Sequence, residues 1–101
     1  MLKTAIAAAM LFPAFAYGAP LTCEQMAGLA EKIMEARQSG VPMANMVKIA
    51  ETSDMGEPER DFMRGATVMA YEKTAWRTDE AQKRAIAEFG NGIMVACIKN
   101  R

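Results

Sequence analysis

Residues 21–26 read Leu-Thr-Cys-Glu-Gln-Met. Thr22 followed three residues later by Gln25 is a capping box, in which the hydroxyl takes one free helix N–H and the glutamine side chain takes another. The pattern predicts a helix from Cys23 to Gln38, because Met26, Leu29, Ala30, Ile33 and Met34 recur at the three-and-four spacing of one helical face. Ser39-Gly40 closes it, glycine being the residue that tolerates the left-handed closing position. Cys23 thus stands in the first turn of the first helix, and its role governs where the chain works and how it is held together.

Upstream, Met1-Leu2-Lys3 precedes an uncharged, mostly apolar run from Thr4 to Ala16, then Tyr17-Gly18-Ala19-Pro20. A basic start, a short apolar run and small residues are the pattern of a secretory signal peptide. Cleavage after Gly18 is preferred, with cleavage after Ala16 as the alternative. A retained anchor fits less well, because a membrane span needs about 20 predominantly apolar residues and this segment is interrupted by Pro13, Gly18 and Pro20. The expected organisation is a leader over 1–18 and a single helical domain over 19–101, located in the periplasm without a stable membrane anchor.

The only other cysteine is Cys97, and the chain contains no histidine. A lipid anchor requires small residues directly ahead of the cysteine, which Pro20-Leu21-Thr22 does not supply. A metal site wants further Cys or His at ligand spacing, and a cysteine nucleophile wants an activating neighbour. Export to an oxidising compartment favours pairing. In an up-down-up-down bundle the start of the first helix and the end of the fourth share one end, so a Cys23–Cys97 disulfide would staple nearly the whole domain.

Three further helices follow from the remaining pattern. Val41-Pro42 restarts the chain, and a second helix is expected from Pro42 to about Thr52, burying Met43, Met46, Val47 and Ala50. Pro58 opens a third, to about Lys73, with Glu57, Glu59 and Asp61 complementing the dipole of its first turn. Its apolar face is Phe62, Met63, Ala66, Met69 and Ala70, and Gly65 is a candidate for a close helix crossing. Thr78 caps the fourth, which presents Ala85, Ile86, Phe89, Ile93 and Cys97, with a kink expected near Gly90 and Gly92. The fold class is therefore all-α, a small bundle of about four helices stapled by one disulfide.

Lys and Arg number 12 against 12 Asp and Glu, so losing Lys3 with the leader leaves 11 against 12 and a net charge of about −1. No basic stripe of the kind that binds nucleic acid is present. Met43-x-x-Met46 has the thioether spacing of exported copper(I) proteins, but these methionines fall on apolar faces, where methionine is an adaptable core filler. Carboxylate pairs such as Glu31 with Glu35, or Glu57 with Asp61, have the types used in glycoside hydrolysis, yet they fall on expected solvent faces and in first turns. No catalytic residues, metal ligands or cofactor are assigned, and no enzymatic activity is expected.

Residues 70–78, Ala-Tyr-Glu-Lys-Thr-Ala-Trp-Arg-Thr, concentrate the types enriched in binding hot spots. Arg64, Tyr71, Trp76 and Arg77 are the candidate partner-binding residues. The plainer alternative is that Trp76 plugs the end of the core while Tyr71 bonds a loop carbonyl.

The order Cys23, Ala36-Arg37-Gln38-x-Gly40-Val41-Pro42-Met43, Ala70-Tyr71-Glu72, Ala85-Ile86-x-x-Phe89-x-Asn91 and Cys97 resembles an uncharacterised family of short exported proteobacterial proteins, partly prophage-associated. The resemblance spans essentially the whole expected mature chain and implies a shared helical fold. Where such relatives often carry Pro-Arg after Tyr-Glu, this chain has Thr74-Ala75. A looser likeness is to the small acid-stress chaperones of the periplasm, whose second cysteine lies in the chain interior. The leading expectation is a periplasmic protein that acts by binding another macromolecule, an unknown protein of the cell envelope. The alternatives are an acid-activated chaperone and, further back, a copper(I)-binding protein.

Overall fold

The computed structural model describes residues 21–101. The expected leader and both of its candidate cleavage sites lie outside the described residues. Four helices make up most of the described chain: α1 Cys23–Gln38, α2 Met43–Thr52, α3 Glu57–Tyr71 and α4 Asp79–Lys99. Among the described residues there is no strand, and the all-α class is the one expected.

α1 starts and stops where local chemistry requires. The Thr22 hydroxyl accepts from the Gln25 N–H at 3.1 Å and the Gln25 side chain accepts from the Thr22 N–H at 2.9 Å, which completes the capping box. At the other end Gly40 adopts φ 87°. The Gly40 N–H donates to Arg37 O and the Val41 N–H to Ala36 O, the paired closing bonds of a Schellman turn. Pro42 stays extended as the cap of α2, so that helix begins one residue later than expected.

α3 stops at Tyr71 rather than near Lys73. The carbonyls of Lys73 and Thr74 are drawn out of the helical direction by side chains of α1, as described below. α4 is a single helix of 21 residues that runs through Gly90 and Gly92. Gly90 is the position of close approach: a Cβ there would fall 2.6 Å from the Glu31 Cγ of α1. Gly65, the position the sequence favoured for this role, faces open space.

The disulfide joins Cys23 to Cys97 across 74 residues, with a Cα–Cα distance of 5.6 Å. Successive helices alternate in direction, but they do not close a four-cornered bundle. α1 is the central element, with α4 antiparallel along one flank and α3 along the other, while α2 packs on α3. α1 and α3 run parallel: Met26 and Phe62 line one crevice at the disulfide end, and Gln38 reaches Thr74 at the opposite end.

The core draws Ala30, Ile33 and Met34 from α1, Met46 and Ala50 from α2, Met63, Ala66 and Ala70 from α3, and Phe89 and Ile93 from α4. Two methionines assigned to the core by spacing lie outside it. Met43 is 38% exposed because α2 has its main neighbour on one side only, and Met69 is 46% exposed because α3 and α4 do not pack against each other. Three buried residues are polar: Gln38, Glu59 and Thr67. Gln38 is fully bonded, whereas the carboxylate of Glu59 and the hydroxyl of Thr67 have no hydrogen-bond partner among the described residues.

Candidate functional site

The connection between α3 and α4 has no helical ladder to satisfy its backbone, and a polar backbone group near a core needs a partner. The end of α1 supplies them. Arg37 donates through Nε and Nη2 to the Lys73 carbonyl at 3.1 and 2.8 Å. Gln38 donates Nε2 to the Thr74 carbonyl at 2.9 Å and accepts the Trp76 N–H at Oε1 at 2.8 Å. Gln82 of α4 donates to the Trp76 carbonyl at 2.8 Å. Trp76 is thereby held at both its backbone N–H and its carbonyl while its side chain stays half exposed.

The indole stands at the mouth of a groove of about 530 Å³ between α3 and α4. The groove exists because both helices pack on α1 and diverge from each other, leaving side chains of α1 and α4 as its floor. That floor is Met34, Phe89 and Ile93, and Met69 and Ala85 form the walls. The rim carries Lys73, Arg84 and Glu88. The volume lies within the range of specific binding sites, and an apolar interior with a few charges at the edge is the composition such sites share.

Tyr71 donates its hydroxyl to the Val41 carbonyl at 2.6 Å, the loop-carbonyl bond that was the plainer expectation for it. The Arg37 guanidinium lies 5.3 Å from its ring centroid, a cation–π contact. Burial raises the Tyr71 pKa above its ordinary 10.0 by disfavouring the phenolate, and the Arg37 charge partly offsets this. Trp76 does not plug the core. Arg77 is exposed on the connection and does not line the groove. Arg64 points elsewhere, pairing with Glu51 of α2 at 3.0 Å and with Asp61 at 3.1 Å on a solvent face.

Of the four candidate residues, the structure therefore places Trp76 at the groove, Tyr71 against Val41 and Arg37, Arg77 exposed on the connection, and Arg64 on the α2 side of α3. Residues that were not among the four candidates complete the site: Gln38 and Arg37 as braces, Met69, which the spacing had assigned to the core, as a wall, and Lys73, Arg84 and Glu88 as the rim. A signal for Gln38 was present, since it continues the buried stripe Ala27, Ala30, Met34 of α1 and a polar residue on such a stripe requires bonding partners. Met46 is buried while Met43 is exposed. Among the described residues no group of three or more His, Cys, Asp or Glu is placed to hold a metal ion.

Comparison with protein-family models, with curated proteins and with solved structures finds no match to the chain.

Proposed function

We propose that this chain is an exported periplasmic binding protein without enzymatic activity, and that its α3–α4 groove receives an apolar segment of another envelope protein. The observation that carries this reading is Trp76: its backbone is fixed on both sides by Gln38 and Gln82, yet its indole and the neighbouring Met69 are left half exposed over an apolar floor. A pre-ordered aromatic anchor beside an adaptable methionine is the make-up of a binding hot spot. On the rim Lys73 and Arg84 outnumber Glu88, so a segment with apolar side chains flanked by carboxylates is the complementary occupant. Export is supported by the leader pattern of residues 1–18 and by the disulfide, which oxidising compartments favour.

The test combines capture with direct binding. Oxidised protein exported by a bacterial host is used to isolate a partner from periplasmic extract, and peptides of that partner are then titrated against the emission of Trp76, the single tryptophan of the sequence. A blue shift is expected in the wild type, and affinity, read by titration calorimetry so that the tryptophan-free variant is included, is lost in Met69→Glu and Trp76→Ala and weakened in Arg84→Glu. Retention of full affinity by all three variants would exclude the groove.

An acid-activated chaperone is the second reading, favoured by a small helical domain in which an ion pair, Arg64 with Glu51, ties α2 to α3. Protection of aggregating clients at about pH 2 to 3, with loss of near-ultraviolet dichroism, is its expected signature. Intact tertiary dichroism and no protection at that pH would eliminate it.

A further inference from the structure

We infer that the occupant of the α3–α4 groove is an amphipathic helix of about five turns, acidic at both ends, which lies along α4 and supplies the fourth corner of the bundle. The inference rests on the binding reading given above and adds the conformation, length and charge of the partner segment.

The groove beside Trp76 and the crevice at the disulfide end form one channel. Ile93 lines both. α3 walls the channel with Lys73 and Met69 at one end and Phe62 at the other, residues four and seven apart on one side of the helix. α4 walls it with Ala81, Ala85, Gly92 and Ala96, again at helical repeats. Beneath them α1 contributes Met34 at the Trp76 end and Met26 at the disulfide end. The rise from Ala81 to Asn100 is about 28 Å at roughly 1.5 Å per residue. A helix laid there stands opposite α1 and between α3 and α4, the position that α2 leaves open by packing on α3. The α4 wall is built of alanine and glycine, with open space beyond Gly92, which suits the axial separation of about 8–10 Å at which helices pack.

The conformation of the occupant follows from where the backbone groups around the channel are already committed. Both walls are helices, whose peptide groups bond within themselves. At the mouth the carbonyls of Lys73, Thr74 and Trp76 are taken by Arg37, Gln38 and Gln82. Among the described residues there is no strand edge to which an extended segment could pair. Such a segment would lose its water and find no backbone partner, whereas a helix satisfies its own N–H and C=O groups and offers the channel only side chains.

Charge selects the sequence class. Lys73 and Arg84 outnumber Glu88 at the Trp76 end, and Arg101 lines the disulfide end. Carboxylates near both ends of the incoming helix are the complement. The same distribution opposes a second copy of this chain. Whichever way two grooves are laid face to face, Lys73 and Arg84 of one copy meet cations of the other.

The test selects peptides on the oxidised protein from two displayed libraries of about 18 residues, the length of five helical turns. One is patterned with apolar residues at helical spacing and the other with strict alternation, and acidic and basic residues are equally frequent in both. Recovered peptides are synthesised and titrated by calorimetry and far-ultraviolet dichroism. The expected winners come from the helical library and carry acidic ends. Their helicity rises on binding, because an isolated helix of that length is only partly formed in water. Ala96→Glu changes an exposed residue far from Trp76 and is expected to weaken them at least ~ten-fold, as is Met69→Glu, with a smaller loss in Arg101→Glu. Winners from the alternating library, or full affinity in both Ala96→Glu and Arg101→Glu, would overturn the helix and leave the groove reading standing. Winners indifferent to Met69→Glu, or none from either library, would overturn both. A wild type that sediments as a dimer and becomes monomeric in Met69→Glu would assign the groove to a second copy and overturn the inference.

Discussion

Gln38 holds Trp76 from the far side of the molecule's sequence: its side-chain amide accepts the Trp76 N–H at 2.8 Å and donates to the Thr74 carbonyl two residues earlier. An amide can present an acceptor and a donor side by side, as a neighbouring backbone would, and here it substitutes for the missing ladder of an irregular connection. The groove mouth is therefore positioned by a residue that does not line it.

Replacing Gln38 with Leu keeps the volume approximately and removes both bonds. The Trp76 N–H and Thr74 carbonyl then lose their partners beside a core, and a loss of roughly 2–3 kcal/mol is expected. Urea unfolding measures the loss, and a red-shifted Trp76 emission in the folded variant is the accompanying sign that the indole is no longer held.

The Cys23–Cys97 bridge closes nearly all of the described chain. Substituting both cysteines by serine is expected to cost about 4 kcal/mol, the loop-closure value for a separation of this length. The core of a domain this small rarely supplies more than about 3–5 kcal/mol, so the expected outcome is a largely unfolded or molten chain by near-ultraviolet dichroism.

Tyr71 contributes to stability with a defined sign in alkali. Its folded pKa is raised above 10.0, so in the interval above the ordinary value the folded chain retains a proton that the unfolded chain has released. Its contribution is present in full below that value and is lost as pH rises through the folded pKa. Melting temperatures across about pH 9 to 11 are expected to fall more steeply for the wild type than for Tyr71→Phe. At neutral pH the same variant should lose about 1 kcal/mol with its bond to Val41.

Two glycines of similar sequence context should respond differently to alanine. Gly65 is exposed within α3 with open space beyond it, so Gly65→Ala is expected to stabilise by roughly 0.5–1 kcal/mol through helix propensity. At Gly90 the same gain is opposed by the Glu31 side chain. Gly90→Ala should be less stable than Gly65→Ala, and Glu31→Ala in the same chain should relieve the difference. Chemical denaturation of the wild type, Gly90→Ala, Glu31→Ala and the double variant forms the cycle, with Gly65→Ala as the reference.

The helices were legible in the sequence because their signals are local. Thr22 with Gln25, Gly40, Pro42, Pro58 and Thr78 act within a few residues of themselves, and each marks a boundary within a residue or two of the observed one. The end of α3 was not legible, since it is set by Arg37 and Gln38, some 36 residues away. Glu59 shows the same limit from the other direction. Its place in a first turn was evident, but a charge is ordinarily assigned to solvent, and its four-residue spacing from Met63 on the core stripe was the overlooked sign.

By itself the sequence determined four helices, their order, a cysteine at each end of the domain and an apolar stripe on every helix, because capping, periodicity and cysteine placement are short-range or countable. Which stripes meet was decided only in three dimensions. α1 buries its face against both α3 and α4, and α2 packs on α3 instead of completing a square. Periodicity marks a face without naming its partner, so the same pattern that buries Met34 leaves Met69 and Trp76 bordering a groove.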